Sequence, residues 1–336
     1  MLSAAKAAGA DCAKFQMVFA DEIIHPLTGS VPLPGGSIPL YERFRELERP
    51  VEFYAQLKSR TEAAGLQFLC TPFGLRSARA LVELGIHSMK VASPELNHLP
   101  LLSYLASCNL PLILSSGVST IGDIEEALSI TGRDRITLLH CVTAYPAPPD
   151  EYNLRLLRPL AALFGIEVGV SDHSLNPVLV PALAVSQGAT MIEKHITLSR
   201  EGAGLDDPVA LDPEAFRRLV DAVRWAESET AESVIETLSG QFTAELVDRV
   251  LGNGRKELAP SERMNYGRTN RSIHATHTLQ RGATIGDGDI AVLRTEKILR
   301  PGLHPRHLPQ LIGSRLVTDV PDGEGITWEC IIPAAE

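Results

Sequence analysis

Apolar and polar positions alternate in two rhythms between residues 12 and 227. Short β-type runs, CAKFQ (12–16), QFLC (67–70), SMKVA (88–92), LILSS (112–116), ITLLHC (136–141), EVGVSD (167–172) and MIEKHI (191–196), alternate with stretches of helical spacing. The latter include SARALVELG, LLSYLAS, IGDIEEALSI, LRPLAALF and PVLVPALAVSQG, and several end in the Gly that commonly terminates a helix. Repeated strand–helix alternation predicts an α/β fold, a parallel sheet covered by helices. A closed (β/α)8 TIM barrel needs one unit more. Residues 1–9 already read as the second half of a helix running into CAKFQ. The first strand is therefore expected to be missing from the front, which would leave the strands at 12–16 and 191–196 as unpaired edges. A seven-stranded open barrel is the alternative.

Residues 1–230 form the expected barrel domain, and 231–270 a helix end and linker, with the polar, Gly- and Pro-containing stretch VLGNGRKELAPSERMNYGRTN at 250–270. Residues 271–336 contain the β-type pieces SIHAT, RLVTDV and GITWECII between turn signals such as RG, GDGD, RPG and PDGEG. They predict a small, irregular, mostly β module.

Composition narrows the function. With 44% hydrophobic and 21% charged residues in short runs, the chain is an ordinary globular one without a membrane span. A net charge of −10, without a basic stripe, gives a nucleic-acid partner no electrostatic support. Five scattered cysteines with no C-x-x-C pair read as buried thiols in a reducing compartment, and the N-terminus has no signal-peptide pattern. A cytoplasmic protein acting on small molecules is expected.

Parallel barrels carry their chemistry at the C-terminal ends of the strands. The polar residues there are Lys14 and Gln16; Thr71; Lys90 with Ser93 and Glu95; Ser115 and Ser116; Thr143 and Tyr145; Ser171 with His173; and Glu193 with His195. Two lysines among hydroxyls suit a small, multiply anionic ligand, because phosphate oxygens accept from both. His173 and His195 end adjacent strands, beside Asp172 and Glu193, and are expected to share one divalent cation with open positions. Mn²⁺ suits that geometry, with Mg²⁺ or Co²⁺ as alternatives. His140 packs or orients a neighbour, and His98 falls in a loop. Glu95 handles protons, orders Lys90 or forms a structural salt bridge.

The succession AKAAGADCAKFQ, CTPFG, MKVASPELN, LILSSGVS, LLHC-VTAYPAP, VGVSDHS and IEKHITLS resembles the sialic acid synthase family throughout residues 1–227. ELAPSE, RSI, RPGLHP and LIG within 257–333 resemble the antifreeze-like (SAF) domain that ends these synthases. The resemblance implies that Lys14, Gln16, Thr71, Lys90, Ser93, Ser115, Ser116 and Ser171 bind phosphoenolpyruvate and that His173 and His195 hold the metal. It implies further that Thr143, Tyr145 and Asp206 face an amino sugar. Arg300, in the RPG phrase, would reach into the partner's site in a domain-swapped homodimer. The implied reaction joins C3 of phosphoenolpyruvate to the aldehyde of the open-chain sugar, adds water at C2 and releases phosphate.

The family's first-strand Glu phrase has no counterpart in this sequence. Thr143 stands where sialic-acid-forming members have Asn, and Pro34-Gly35-Gly36 replaces their Pro-Gly-Asn. Both changes fall on the sugar side, so an acceptor other than N-acetylmannosamine is expected, with diacetylated sugars and surface or spore polysaccharide precursors open. The rival classes are a metal-dependent barrel hydrolase and a non-catalytic anion- or sugar-binding homologue.

Overall fold

The computed structural model describes residues 1–33, 36–202 and 204–332, so Pro34 and Gly35 lie outside the described residues. Seven parallel strands form one sheet in sequence order: β1 (Cys12–Met17), β2 (Gln67–Pro72), β3 (Met89–Val91), β4 (Leu112–Ser115), β5 (Ile136–Cys141), β6 (Glu167–Asp172) and β7 (Ile192–Lys194). They coincide with the seven expected runs. Among the described residues β1 pairs with β2 alone and β7 with β6 alone. The sheet is nonetheless rolled, because Lys14 on β1 and Glu193 on β7 meet across the two edges at 3.0 Å. A cavity of about 440 Å³ occupies the seam, lined by both edges and by the helices Leu2–Ala7 and Pro213–Ser228.

The main core lies between the sheet and its helices, with Met89, Val91, Leu114, Leu138 and Val170 buried from the strands and Leu81, Leu101, Leu105 and Leu183 from the helices. Local signals set the helix limits. Thr120 and Asp123 form a reciprocal capping box at the start of Ile121–Thr131, and Gly165 ends Leu157–Phe164 at φ +67°.

Three sequence expectations change. Residues 231–251 are two helices, Ala231–Gln241 and Ala244–Leu251, capped by Thr230 and Thr243. Val234, Leu238, Val247, Val250 and Leu251 bury them in the main core, so the segment is part of the barrel body. In the small module, Arg271–Ala275 (β8) pairs antiparallel with Ile290–Arg294 (β9), a strand absent from the expected set. Only Arg315–Leu316 and Ile331–Ile332 of the other two pieces pair as strands, because a 3-10 turn takes up Trp328–Cys330. The thiols are not uniformly buried either: Cys70, Cys141 and Cys330 are, but Cys12 is exposed and Cys108 half-buried.

The module has its own core, built on Ile273, Leu279, Ile285, Leu311, Val320 and Ile326. It is tied to the barrel loops by buried polar groups. Arg271 and Arg294 both donate to Glu95 Oε1, with closest contacts of 3.0 and 2.6 Å. Arg271 also donates to the carbonyls of Glu22, Phe73 and Val292. Such a centre holds the two bodies in one geometry because removing any member strands a buried charge.

Candidate active site

Period-two alternation points Ser171 and Glu193 to one face of the sheet and Asp172 and Lys194 to the other. Asp172 and Lys194 are register partners and form a buried ion pair of 2.7 Å. Asp172 therefore does not join the histidines at the mouth. On the inner face, Glu193 Oε1 lies 3.0 Å from Lys14 Nζ and accepts from Ser171 Oγ at 2.7 Å, while Oε2 is 3.8 Å from Lys90 Nζ. Burial alone would raise the Glu193 pKa, but the two ammonium groups and the Ser171 hydroxyl hold it well below the usual carboxylate range. Burial pushes Lys90 down to about 8, against the opposing pull of Glu193.

Hydroxyls follow on the neighbouring strand ends and loops. Lys90 Nζ donates to Ser115 Oγ at 2.5 Å, Ser93 Oγ accepts from the Gly117 N–H, and Ser116 Oγ donates to the Leu139 carbonyl. Thr71 Oγ1, near the end of β2, is buried without a hydrogen-bond partner and is thus an unused donor and acceptor. Gln16 is exposed at the end of β1. The loops after β3, β4 and β5 crowd together at Gly117. A Cβ there would fall 2.0 Å from Thr143 Oγ1 and 2.9 Å from Ser93 Oγ, so only glycine permits the approach.

The two histidines lie close to each other and to Tyr145. Their ring centroids are 5.5 Å apart, and the half-exposed Tyr145 ring lies 4.2 Å from His173. His173 Nδ1 is 2.9 Å from the Val142 carbonyl, which in the neutral ring puts the proton on Nδ1 and leaves Nε2 as an acceptor. His195 Nδ1 faces Asp206 Oδ2 at 3.4 Å, which favours the same tautomer. Burial pushes His195 down to about 4 despite Asp206, so its ring is neutral near neutral pH. Two Nε2 atoms with oriented tautomers fit a divalent cation that keeps open positions. Among the described residues no group of three or more His, Cys, Asp or Glu side chains gathers on one such position.

The remaining sequence candidates are placed elsewhere. Glu95 is fully buried under Arg271 and Arg294, which is the salt-bridge alternative, and its Oε1 is taken by those guanidiniums. Arg300 bonds within its own module, to Gly325 O and Cys330 Sγ. His98 caps the helix Leu99–Ser107 and accepts from Leu101 N–H. His140, pushed by burial down to about 3, holds the Tyr152 carbonyl at 2.6 Å, and the Tyr152 hydroxyl accepts from His173 N–H. His140 thus orients the loop that carries His173.

Two residues owe their roles to partners remote in sequence. Glu193 ends its strand beside His195, and its role as the counter-charge of Lys14 and Lys90 shows only once the sheet brings the three together. Glu262, in the expected linker, is buried against the barrel loops and accepts from Val118 N–H and Thr143 N–H. Its partners lie over a hundred residues away, beyond any local pattern.

Comparison with known proteins agrees with this architecture. The NeuB family model matches residues 1–234 and the SAF domain model residues 270–332. The chain is 35% identical to the Bacillus subtilis spore coat polysaccharide biosynthesis protein SpsE over 99% of its own length and 88% of that protein. It is 32% identical to the N,N'-diacetyllegionaminic acid synthase of Legionella pneumophila, over 98% of this chain and 89% of that one. The crystal structure of the Bacillus subtilis protein superposes with a TM-score of 0.82 at 34% identity, covering 99% of this chain and 90% of that chain. This chain belongs to the NeuB family and carries an SAF domain at its C-terminal end.

Proposed function

We propose that this protein is a synthase joining phosphoenolpyruvate to an open-chain N-acyl amino sugar, giving a nine-carbon 2-keto-3-deoxy sugar acid and inorganic phosphate. The observation that carries it is the convergence of Lys14 and Lys90 on Glu193 at the C-terminal ends of parallel strands, with the Ser115 hydroxyl on Lys90 and the Ser171 hydroxyl on Glu193. Ammonium and hydroxyl donors at this density match the phosphate and carboxylate of phosphoenolpyruvate. The Legionella relative is named for making a diacetylated sugar acid, which supports an N,N'-diacetylated acceptor; use in a surface or spore-coat polysaccharide follows from the Bacillus relative's name.

Carbon-carbon bond formation joins C3 of the enol phosphate to the sugar aldehyde carbon. The electron deficit left at C2 is met by water, and the C2–O bond to phosphate then breaks with its electrons leaving on phosphate. Lys14 and Lys90 hold the growing negative charge of that leaving group, and Tyr145, Thr143 and Asp206 border the sugar. His173 and His195 would hold a divalent ion, Mn²⁺ first and Mg²⁺ or Co²⁺ as alternatives, supplying Lewis-acid polarisation of a substrate oxygen. The exposed Arg300 is assigned to the partner's site in a swapped homodimer. No helix among the described residues is long and apolar enough to cross a membrane, and the unpaired thiols support a cytoplasmic setting.

Turnover in oxygen-18 water tests the bond broken. Cleavage at C2–O leaves the released phosphate unlabelled, as the synthase requires. Label in the phosphate would show P–O hydrolysis and favour the hydrolase class.

A further inference from the structure

Val118 has a φ of +42°, a left-handed backbone that a β-branched residue adopts only under constraint. It directly follows Ser115, Ser116 and Gly117, and its side chain is fully buried. The constraint comes from the segment that joins barrel and small module. Glu262 Oε1 accepts from Val118 N–H at 2.7 Å, and Asn270 Nδ2 donates to the Val118 carbonyl at 2.9 Å. The same Oε1 accepts from Thr143 N–H at 2.7 Å, while Oε2 accepts from Ala259 N–H at 3.2 Å. One carboxylate thus ties the loop after β4 to the loop after β5, and it does so at 1% exposure.

We infer that Glu262 is a positioning residue for the synthase site: it holds the β4 loop, on the phosphoenolpyruvate side, in its strained turn and sets the spacing of that loop from Thr143 on the sugar side. The inference rests on the function proposed above. Two backbone donors share one acceptor oxygen, so the loops move together or not at all. Asn270 precedes Arg271, whose guanidinium sits on Glu95; docking of the small module and the shape of the mouth are therefore one connected structure. A shift of about an ångström in such a site costs on the order of a hundredfold in rate.

The test combines calorimetry with phosphoenolpyruvate, steady-state kinetics and hydrogen exchange on the whole protein. Glu262→Ala releases both N–H groups, and the expected result is phosphoenolpyruvate affinity weaker by about tenfold or more, the scale of the strain released, together with a raised sugar KM. Glu262→Gln keeps an oxygen for both donors and should recover most of the loss. Val118→Gly separates positioning from general damage, because glycine adopts this φ freely. Added to Glu262→Ala, it should restore phosphoenolpyruvate affinity while the sugar KM, which depends on Thr143, stays high.

Equal phosphoenolpyruvate binding by wild type and Glu262→Ala, or simple additivity of the Val118→Gly change, overturns the inference. Failure of the wild type to bind phosphoenolpyruvate contradicts the synthase proposal instead. In that event exchange in the ligand-free protein still decides on Glu262. Faster exchange at the Val118 and Thr143 amides in Glu262→Ala, reversed in Glu262→Gln, supports the clamp, and unchanged exchange refutes it.

Discussion

Lys14 and Glu193 meet at 3.0 Å across the two edges of the sheet, although β1 and β7 share no strand pairing among the described residues. A side-chain ion pair therefore spans the seam. Lys90 approaches the second Glu193 oxygen at 3.8 Å, so one carboxylate stands between two ammonium groups and the cluster keeps an excess positive charge. Such an excess in a buried site is costly without a ligand and favourable with an anionic one.

Lys90 makes this conflict measurable. Its pKa is pushed by burial from 10.5 down to about 8, so the folded state disfavours the charged form by about 3 kcal/mol. The penalty is fully present below pH 8 and is relieved as pH rises from about 8 toward 10.5, where the unfolded chain holds a proton that the folded one has lost. Lys90→Met is expected to unfold at a higher urea midpoint than wild type at pH 7, with the gap closing by pH 10, and to lose phosphoenolpyruvate binding. In the wild type, phosphoenolpyruvate affinity should weaken by up to about tenfold per pH unit above 8, as the cationic form is lost. A pH-independent dissociation constant between pH 7 and 9.5 would count against Lys90 as the anion's ligand.

The histidine pair predicts a graded metal response. His195→Ala removes one of two proposed ligands and should abolish measurable Mn²⁺ binding in titration calorimetry. Asp206→Asn, which changes the group facing the far nitrogen of His195, should weaken it by about 10–100-fold. Mn²⁺ affinity unchanged in both variants would dismiss this site.

Arg271 carries the junction of the two bodies. Arg271→Ala leaves the carbonyls of Glu22, Phe73 and Val292 without this donor, and Glu95 with Arg294 alone. A loss of about 3–5 kcal/mol in urea unfolding is expected. Arg271→Lys should not restore it, since one ammonium cannot reproduce the planar fork. Full stability in the Lys variant would show that charge alone suffices.

The barrel was legible because each strand is a short apolar run ended by a polar residue, and the helices between carry their own caps and glycines. The grouping of Lys14 with Lys90, and of His173 with His195, was legible for the same reason: strand ends share one mouth. What stayed hidden depends on long-range partners. Glu95 reads as a site residue until Arg271 and Arg294, almost two hundred residues on, are brought against it. Glu262 sits in a polar, Pro-containing stretch that reads as linker, yet it reaches Val118 and Thr143. The helices at 231–251 did have a local signal, in Thr230 and Thr243 as N-caps. The strand Ile290–Arg294 follows a GDGD turn and is short enough to pass as loop.

Synthase activity is decided by product mass and phosphate release with phosphoenolpyruvate, Mn²⁺ and a panel of amino sugars headed by N,N'-diacetylated ones. One phosphate is expected per sugar consumed, with a product heavier than its acceptor by a pyruvate unit. Phosphate released without any sugar, or no release with any member of the panel together with no binding of phosphoenolpyruvate, would contradict it.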